Sequence, residues 1–173
     1  TFGFHSAMEV ASNVLDCIHT TATSHGRVFI VEIMGHKVGW LPLYAGIAGG
    51  ADVILLPEIP YSINSIVKTL ENRNKAGKRF SILAVAEGAI SKKEAKMTKK
   101  ELKASRAAMP YPSISYRLAK EIEAETGSEI RVTVPGHFQR GGSPCAFDRV
   151  LSTRFGAAAA KLIKEKKYGN MVA

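Results

Sequence analysis

Val28-Phe29-Ile30-Val31-Glu32-Ile33, followed at once by Met34-Gly35-His36-Lys37-Val38-Gly39, is the stretch that decides the fold. The first run is apolar and β-branched, is bounded by Gly26 and Gly35, and reads as a short strand buried on both faces. Outward from it, Asp52–Leu56, Phe80–Ala86 and Ile130–Val134 read as further buried strands. Helical stretches separate them. Residues 5–20 place Ala7, Val10, Ala11, Val14, Leu15 and Ile18 at helical spacing, and Ser24–Gly26 break that helix. Gly39–Gly49 is a small-residue helix, and a helix capped by Ser62 or Asn64 runs to Lys75 before Gly77. Ser113–Thr126 stops at Gly127, and Asp148–Lys166 forms a final helix. Strands alternating with helices predict an α/β chain with a mainly parallel sheet.

The 173 residues are 46% hydrophobic and 23% charged, the composition of a globular domain with a real core. No apolar run approaches the roughly 20 residues that span a bilayer, so no membrane is expected as a partner. No basic region precedes an apolar stretch at the N-terminus, so no signal peptide is expected. Cys17 and Cys145 match no metal spacing and read as reduced thiols of a cytoplasmic protein, both buried as small apolar groups. No metal site is expected. The net charge of +9 points to anionic partners. Lys92, Lys93, Lys96, Lys99, Lys100, Lys103 and Arg106, set against Glu94 and Glu101, supply +5 of it and read as a solvated surface helix. A nucleic-acid partner is not expected, because this segment lacks interleaved aromatics to stack on bases.

In open α/β sheets ligands bind beyond the carboxyl ends of the strands. Those ends carry Met34 to Trp40, Pro57-Glu58, Glu87-Gly88, and Gly136-His137-Phe138-Gln139-Arg140-Gly141-Gly142-Ser143-Pro144. Two glycine-rich loops with cations suit a phosphorylated ligand approaching backbone amides, and a carboxylate suits a hydroxyl-bearing one. Together they describe a polyol-phosphate site. There is no P-loop and no GxGxxG after a strand.

The order of these loops resembles the 6-phosphofructokinase family. The resemblance rests on Thr1-Phe2-Gly3-Phe4, Ser24-His25-Gly26-Arg27, Glu32-Ile33-Met34-Gly35, Ala45 to Asp52, Pro57-Glu58, the Gly136–Pro144 loop and Asp148-Arg149. It implies a three-layer α/β/α domain over residues 1–136 that binds fructose 6-phosphate. It also implies that 137–173 cross back toward a donor domain. Met34 and Gly35 would line the sugar, Glu87 would bind its hydroxyls, and His137 and Arg140 would hold the phosphate. Arg27 and Arg131 would reach the same phosphate from a neighbouring subunit, making a homo-oligomer, dimer or tetramer, the working unit. Arginine suits that task because its planar fork donates in pairs.

The family often has Arg where this chain has His36, beside the group in flight. A histidine is only partly charged at neutral pH, so either Lys37 compensates or the donor differs. The basic segment resembles an insertion typical of longer lineages in which pyrophosphate can replace ATP. The donor loop and the aspartate motif, with Mg²⁺ carried alongside ATP or pyrophosphate, are expected before Thr1. The expectation is therefore a glycolytic kinase whose isolated 173-residue chain does not turn over and, exposing apolar surface around Val150, Leu151, Phe155 and Leu162, self-associates or is poorly stable. The alternative is a non-catalytic sugar-phosphate-binding regulatory module.

Overall fold

A computed structural model describes residues 3–25 and 27–173. Thr1, Phe2 and Gly26, used in the sequence reading, lie outside them. Four strands, β1 (Val28–Ile33), β2 (Val53–Leu55), β3 (Ser81–Ala86) and β4 (Ile130–Thr133), form one parallel sheet in the order β2-β3-β1-β4. Six helices accompany them: α1 (Phe4–His25), α2 (Trp40–Ala48), α3 (Ile63–Lys75), α4 (Lys99–Ala107), α5 (Ile114–Thr126) and α6 (Ala146–Lys164).

The period-two geometry of a strand sorts the core into two slabs. Phe29, Val31 and Ile33 of β1, with Ile82 and Ala84 of β3, face Ala11 and Leu15 of α1 and Ala45 of α2. Ile30 of β1, with Leu83 and Val85 of β3, faces Ile66 and Leu70 of α3 and Leu118 and Ile122 of α5. The result is the three-layer α/β/α arrangement, with β1 and β3 buried along nearly their whole length.

Local chemistry explains the helix ends. Gly127 adopts the left-handed conformation that closes α5. Thr98 and Glu101 make a reciprocal capping box at the start of α4. Ser62 occupies the cap position of α3, but its hydroxyl makes no capping bond there. At α5 the cap comes from far away. Glu32, a buried carboxylate on β1, accepts the Ser113 hydroxyl at 2.6 Å and the Ser115 N–H at 3.1 Å, a favourable anion at a helix N-terminus.

Three expectations need correction. α1 runs on to His25, through the Ser24 expected to break it, because Ala22 still packs into the core one turn beyond Ile18. Cys17 is exposed and Cys145 half-buried, so neither thiol fills the core, although both are free. The basic segment is a short 3-10 turn (Glu94–Lys96) followed by α4, and it is not solvated throughout. Glu94 is 4% exposed and pairs with Arg106 at 2.8 Å and with the fork of Arg117 at 2.8 and 3.0 Å. The Arg106 guanidinium also donates to the Ala89 carbonyl at 2.7 Å, tying α4 to the end of β3.

α6 is fastened at one end. Asp148 Oδ2 accepts the Ser6 N–H at 2.7 Å and the Ser6 hydroxyl at 2.6 Å, at the first turn of α1. Those Ser6 donors hold the Asp148 carboxyl below its usual range. Gly3 permits this docking, since a Cβ there would lie 1.9 Å from Oδ2. Beyond that anchor Val150 and Phe155 are exposed, while Leu151 and Leu162 are half-buried.

Candidate functional site

β3, β1 and β4 are neighbours in the sheet, so the loops after them are neighbours too. The turn after β1 is built on side-chain acceptors from the other two. Gln139 Oε1 accepts the Met34 N–H at 3.0 Å. Glu87 Oε1 accepts the N–H groups of Gly35 at 3.0 Å and His36 at 2.5 Å. Glu58, after β2, accepts the Gly39 N–H at 2.8 Å. His36 takes a left-handed backbone, φ 56°, which costs a non-glycine residue about 1–2 kcal/mol. Glu87 on its amide and Gly88 under its carbonyl hold it there. A Cβ on Gly88 would stand 2.0 Å from the His36 oxygen, which accounts for glycine at that position.

These bonds change one expectation. The amides of Met34, Gly35, His36 and Gly39 are engaged by protein acceptors, so this turn does not offer them to a phosphate. Exposed basic side chains stand instead on the loop after β4. Residues Gly136–Arg140 there form a 3-10 turn inside the stretch expected to be irregular. In a 3-10 helix residues i and i+3 eclipse, so His137 and Arg140 project from the same side. Both are exposed, while Gln139 between them is 1% exposed and turned inward to Met34.

Two hollows flank the β1–α2 turn. One, about 470 Å³, includes Glu32, His36, Lys37, Glu87 and Arg106 in its wall, closed on one side by Leu102 and Met109. The other, about 580 Å³, is aromatic and includes Phe4, Gly35, Trp40 and Tyr44. The structure thus brings Met34, Gly35, His36, Glu87 and the His137–Arg140 turn together at one end of the sheet.

Arg27 and Arg131 are not part of this assembly. Arg27 precedes β1, and Arg131 lies opposite Phe29, near its start. A six-residue strand separates Arg27 from Met34, about 20 Å at roughly 3.3 Å per residue. Both arginines pair with Glu129, Arg27 at 2.6 Å. A further hollow of about 520 Å³ opens at that amino end beside Arg27 and Glu129.

Sequence reasoning gave no role to Gln139, and it placed Glu58 only as a residue following a strand end. Each faces a main-chain N–H across a turn, and no local pattern marks such a contact. The signal that was present is their position, one at each of two strand-following loops.

A parallel four-stranded sheet between two helical layers, with main-chain-anchored turns and exposed His137 and Arg140 beyond its carboxyl end, places the chain among three-layer α/β/α proteins. Within that class, the family profile described as Phosphofructokinase matches residues 1–163, and the chain belongs to that family. It is 54% identical over its whole length to the ATP-dependent 6-phosphofructokinase of Spirochaeta thermophila, covering 47% of that relative. It is 48% identical to ATP-dependent 6-phosphofructokinase 3 of Bacteroides thetaiotaomicron, covering 46% of it. The chain therefore spans about half the length of the curated relatives it matches. Among solved structures, phosphofructokinase from Saccharomyces cerevisiae superposes with a TM-score of 0.79 at 36% identity, over 95% of this chain and 20% of that one. The pyrophosphate-dependent phosphofructokinase of Marinobacter aquaeolei superposes at 0.71 over 93% of this chain and 39% of that one, and at 20% identity this shows the fold alone.

Proposed function

We propose that this chain is the sugar-phosphate half of a 6-phosphofructokinase, which holds fructose 6-phosphate while a phosphoryl group is delivered to its 1-hydroxyl. The observation that carries the reading is the eclipsed His137/Arg140 pair, set beside a turn whose amides are already tied to Gln139 and Glu87. The two side chains hold the ligand's phosphate. Arg140 supplies a charged guanidinium fork, and His137 supplies a ring N–H donor. Met34 and Gly35 line the sugar. Glu87 uses Oε1 to shape the turn, and Oε2 is left to accept from sugar hydroxyls.

His36 and Lys37 border the hollow beside Glu87, where Lys37 provides positive potential and His36 a ring donor for the transferred group. Arg27 and Arg131, a strand length away, serve the phosphate held by a neighbouring copy in a homo-oligomer, exchanging Glu129 for the ligand. Relatives named ATP-dependent favour ATP over pyrophosphate as donor. Mg²⁺ would neutralise charge on the donor phosphates. Among the described residues no group of three or more His, Cys, Asp or Glu side chains is placed to hold a metal ion. Glu32 is committed to Ser113 and Ser115, and Glu87 has one oxygen on the Gly35 and His36 amides. The described residues therefore do not by themselves make a site for the ion. Residues 137–173 act as the crossover toward the donor domain, a reading supported by the exposed Val150 and Phe155 on α6. Among the described residues no helix is long and apolar enough to cross a membrane.

The test is calorimetric titration with fructose 6-phosphate, comparing the wild type with Arg140→Ala. Saturable binding that weakens by about 10- to 150-fold in the variant is expected, because a charge-assisted contact contributes about 1.5–3 kcal/mol. Undiminished binding in Arg140→Ala would remove the phosphate from this turn.

A further inference from the structure

Gln139 sits between the two proposed phosphate ligands, yet its side chain points away from them. It is 1% exposed, and its Oε1 accepts the Met34 N–H at 3.0 Å across 105 residues of sequence. That bond fixes which way round the amide lies, since a main-chain N–H can donate only to the oxygen. Nε2 is consequently buried, and it has no protein acceptor among the described residues. A buried amide donor left unpaired is destabilising, because it gives up its bonds to water for none in return. A hydrocarbon side chain of the same length would avoid that cost but would leave the Met34 N–H without its acceptor. The polar residue is retained for its oxygen.

We propose that Gln139 is a positioning residue, setting the sugar-lining turn at Met34 in register with the phosphate-holding turn at His137 and Arg140. The inference rests on the sugar-phosphate reading of the site. Its physical content is geometric. The two turns follow β1 and β4, short strands whose last residues, Ile33 and Thr133, are not aligned across the ladder. A ligand with its phosphate on one turn and its ring on the other needs their separation fixed to a fraction of an ångström. Glu87 sets the shape of the Met34–His36 turn from the β3 side. Gln139 ties that turn to the β4 side.

Such a residue affects a bidentate ligand more than a fragment of it. In Gln139→Met, which keeps side-chain length and loses both polar atoms, inorganic phosphate should bind within about three-fold of wild type. Fructose 6-phosphate should weaken about ten-fold or more, the equivalent of one net hydrogen bond. The Met34 amide, followed by NMR-detected hydrogen exchange, should exchange about ten-fold faster or more. Gln139→Asn, one methylene too short to reach Met34, should reproduce the pattern and replaces the first variant if that one does not fold. Equal weakening of phosphate and fructose 6-phosphate overturns the inference, as does a Met34 amide that already exchanges freely in the wild type. Variants that bind as the wild type does overturn it alone. A wild-type protein that ignores fructose 6-phosphate overturns the functional reading first and this inference with it.

Discussion

The molecule contains two groups of the same composition, each one glutamate between two arginines, and they differ in almost everything else. Glu94 lies between Arg106 and Arg117, its side chain 4% exposed and the arginines 23% and 17%. Glu129 lies between Arg27 and Arg131, its side chain 45% exposed. The first group is fixed in place. Arg117 forks both Glu94 oxygens, the Ser91 N–H adds a third donor, and Tyr61 braces the guanidinium at 3.2 Å. The second group lies at a strand edge with solvent around it. Burial therefore decides what an ion pair is for. Where water is excluded, removing one partner strands the other charge. Where water has access, each partner can leave for a better one at little cost. That is the property an arginine needs if it is to release a carboxylate and take a phosphate.

The comparison is open to direct attack. The largest effect is expected from Glu94→Gln, which leaves two partly buried guanidinium groups facing a neutral amide. A loss of about 3 kcal/mol in unfolding free energy is expected by denaturant titration. A loss below about 1 kcal/mol would mean that the two groups do not differ.

The second effect is in pH. Burial pushes the Glu94 carboxyl upward. The Arg117 hydrogen bond, the Ser91 N–H and the charges of Arg106 and Arg117 outweigh burial and hold it at about 2, below its ordinary 4.5. The folded pKa is lowered, so the stabilisation is fully present above pH 4.5 and disappears as pH falls toward 2. The difference in stability between wild type and Glu94→Gln should therefore shrink across that window and be constant above it. A difference independent of pH would show that the ion pair is not its source. Asp148, whose carboxyl is also held low, contributes equally to both proteins and cancels.

The smallest effect is expected from Glu129→Gln. Thermal or denaturant unfolding should shift by less than about 1 kcal/mol, and about 1 M salt should erase the shift. A loss comparable to that of Glu94→Gln would make the Arg27–Glu129–Arg131 group structural and would remove its availability to a ligand.

The strands and the layer order were legible because they depend on local pattern. Val28–Ile33 announced β1 with its bounds, and Gly127 announced the end of α5 through its left-handed backbone. The placement of Met34, Gly35, His36 and Glu87 at one end of the sheet followed from their positions just after strands. Polar residues that work by burial escaped. Glu94 read as one acid in a solvated basic run, whereas it draws Arg106 and Arg117 into a protected cluster from 12 and 23 residues away. Gln139 read as part of a glycine-rich loop, and only contact with Met34, 105 residues distant, gives it a function. The engaged amides of the β1–α2 turn escaped for the same reason. Composition marks a loop as able to present N–H groups, but not whether another element has already taken them.

The sheet order β2-β3-β1-β4 also has a temporal consequence. During synthesis β1 emerges before its sheet partners, and the one on its first side, β3, follows about 50 residues later. Its other side, the Val28–Val31 edge, stays unpaired until Ile130–Thr133 leave the ribosome. For roughly a hundred residues of translation the nascent chain carries a bare, apolar strand edge, the feature that recruits stray strands from other molecules. Slow codons or a stalled ribosome between Ala86 and Ile130 would prolong that exposure. The yield of this protein in a cell is therefore sensitive to how quickly its fourth strand is made, independently of how stable the finished fold is.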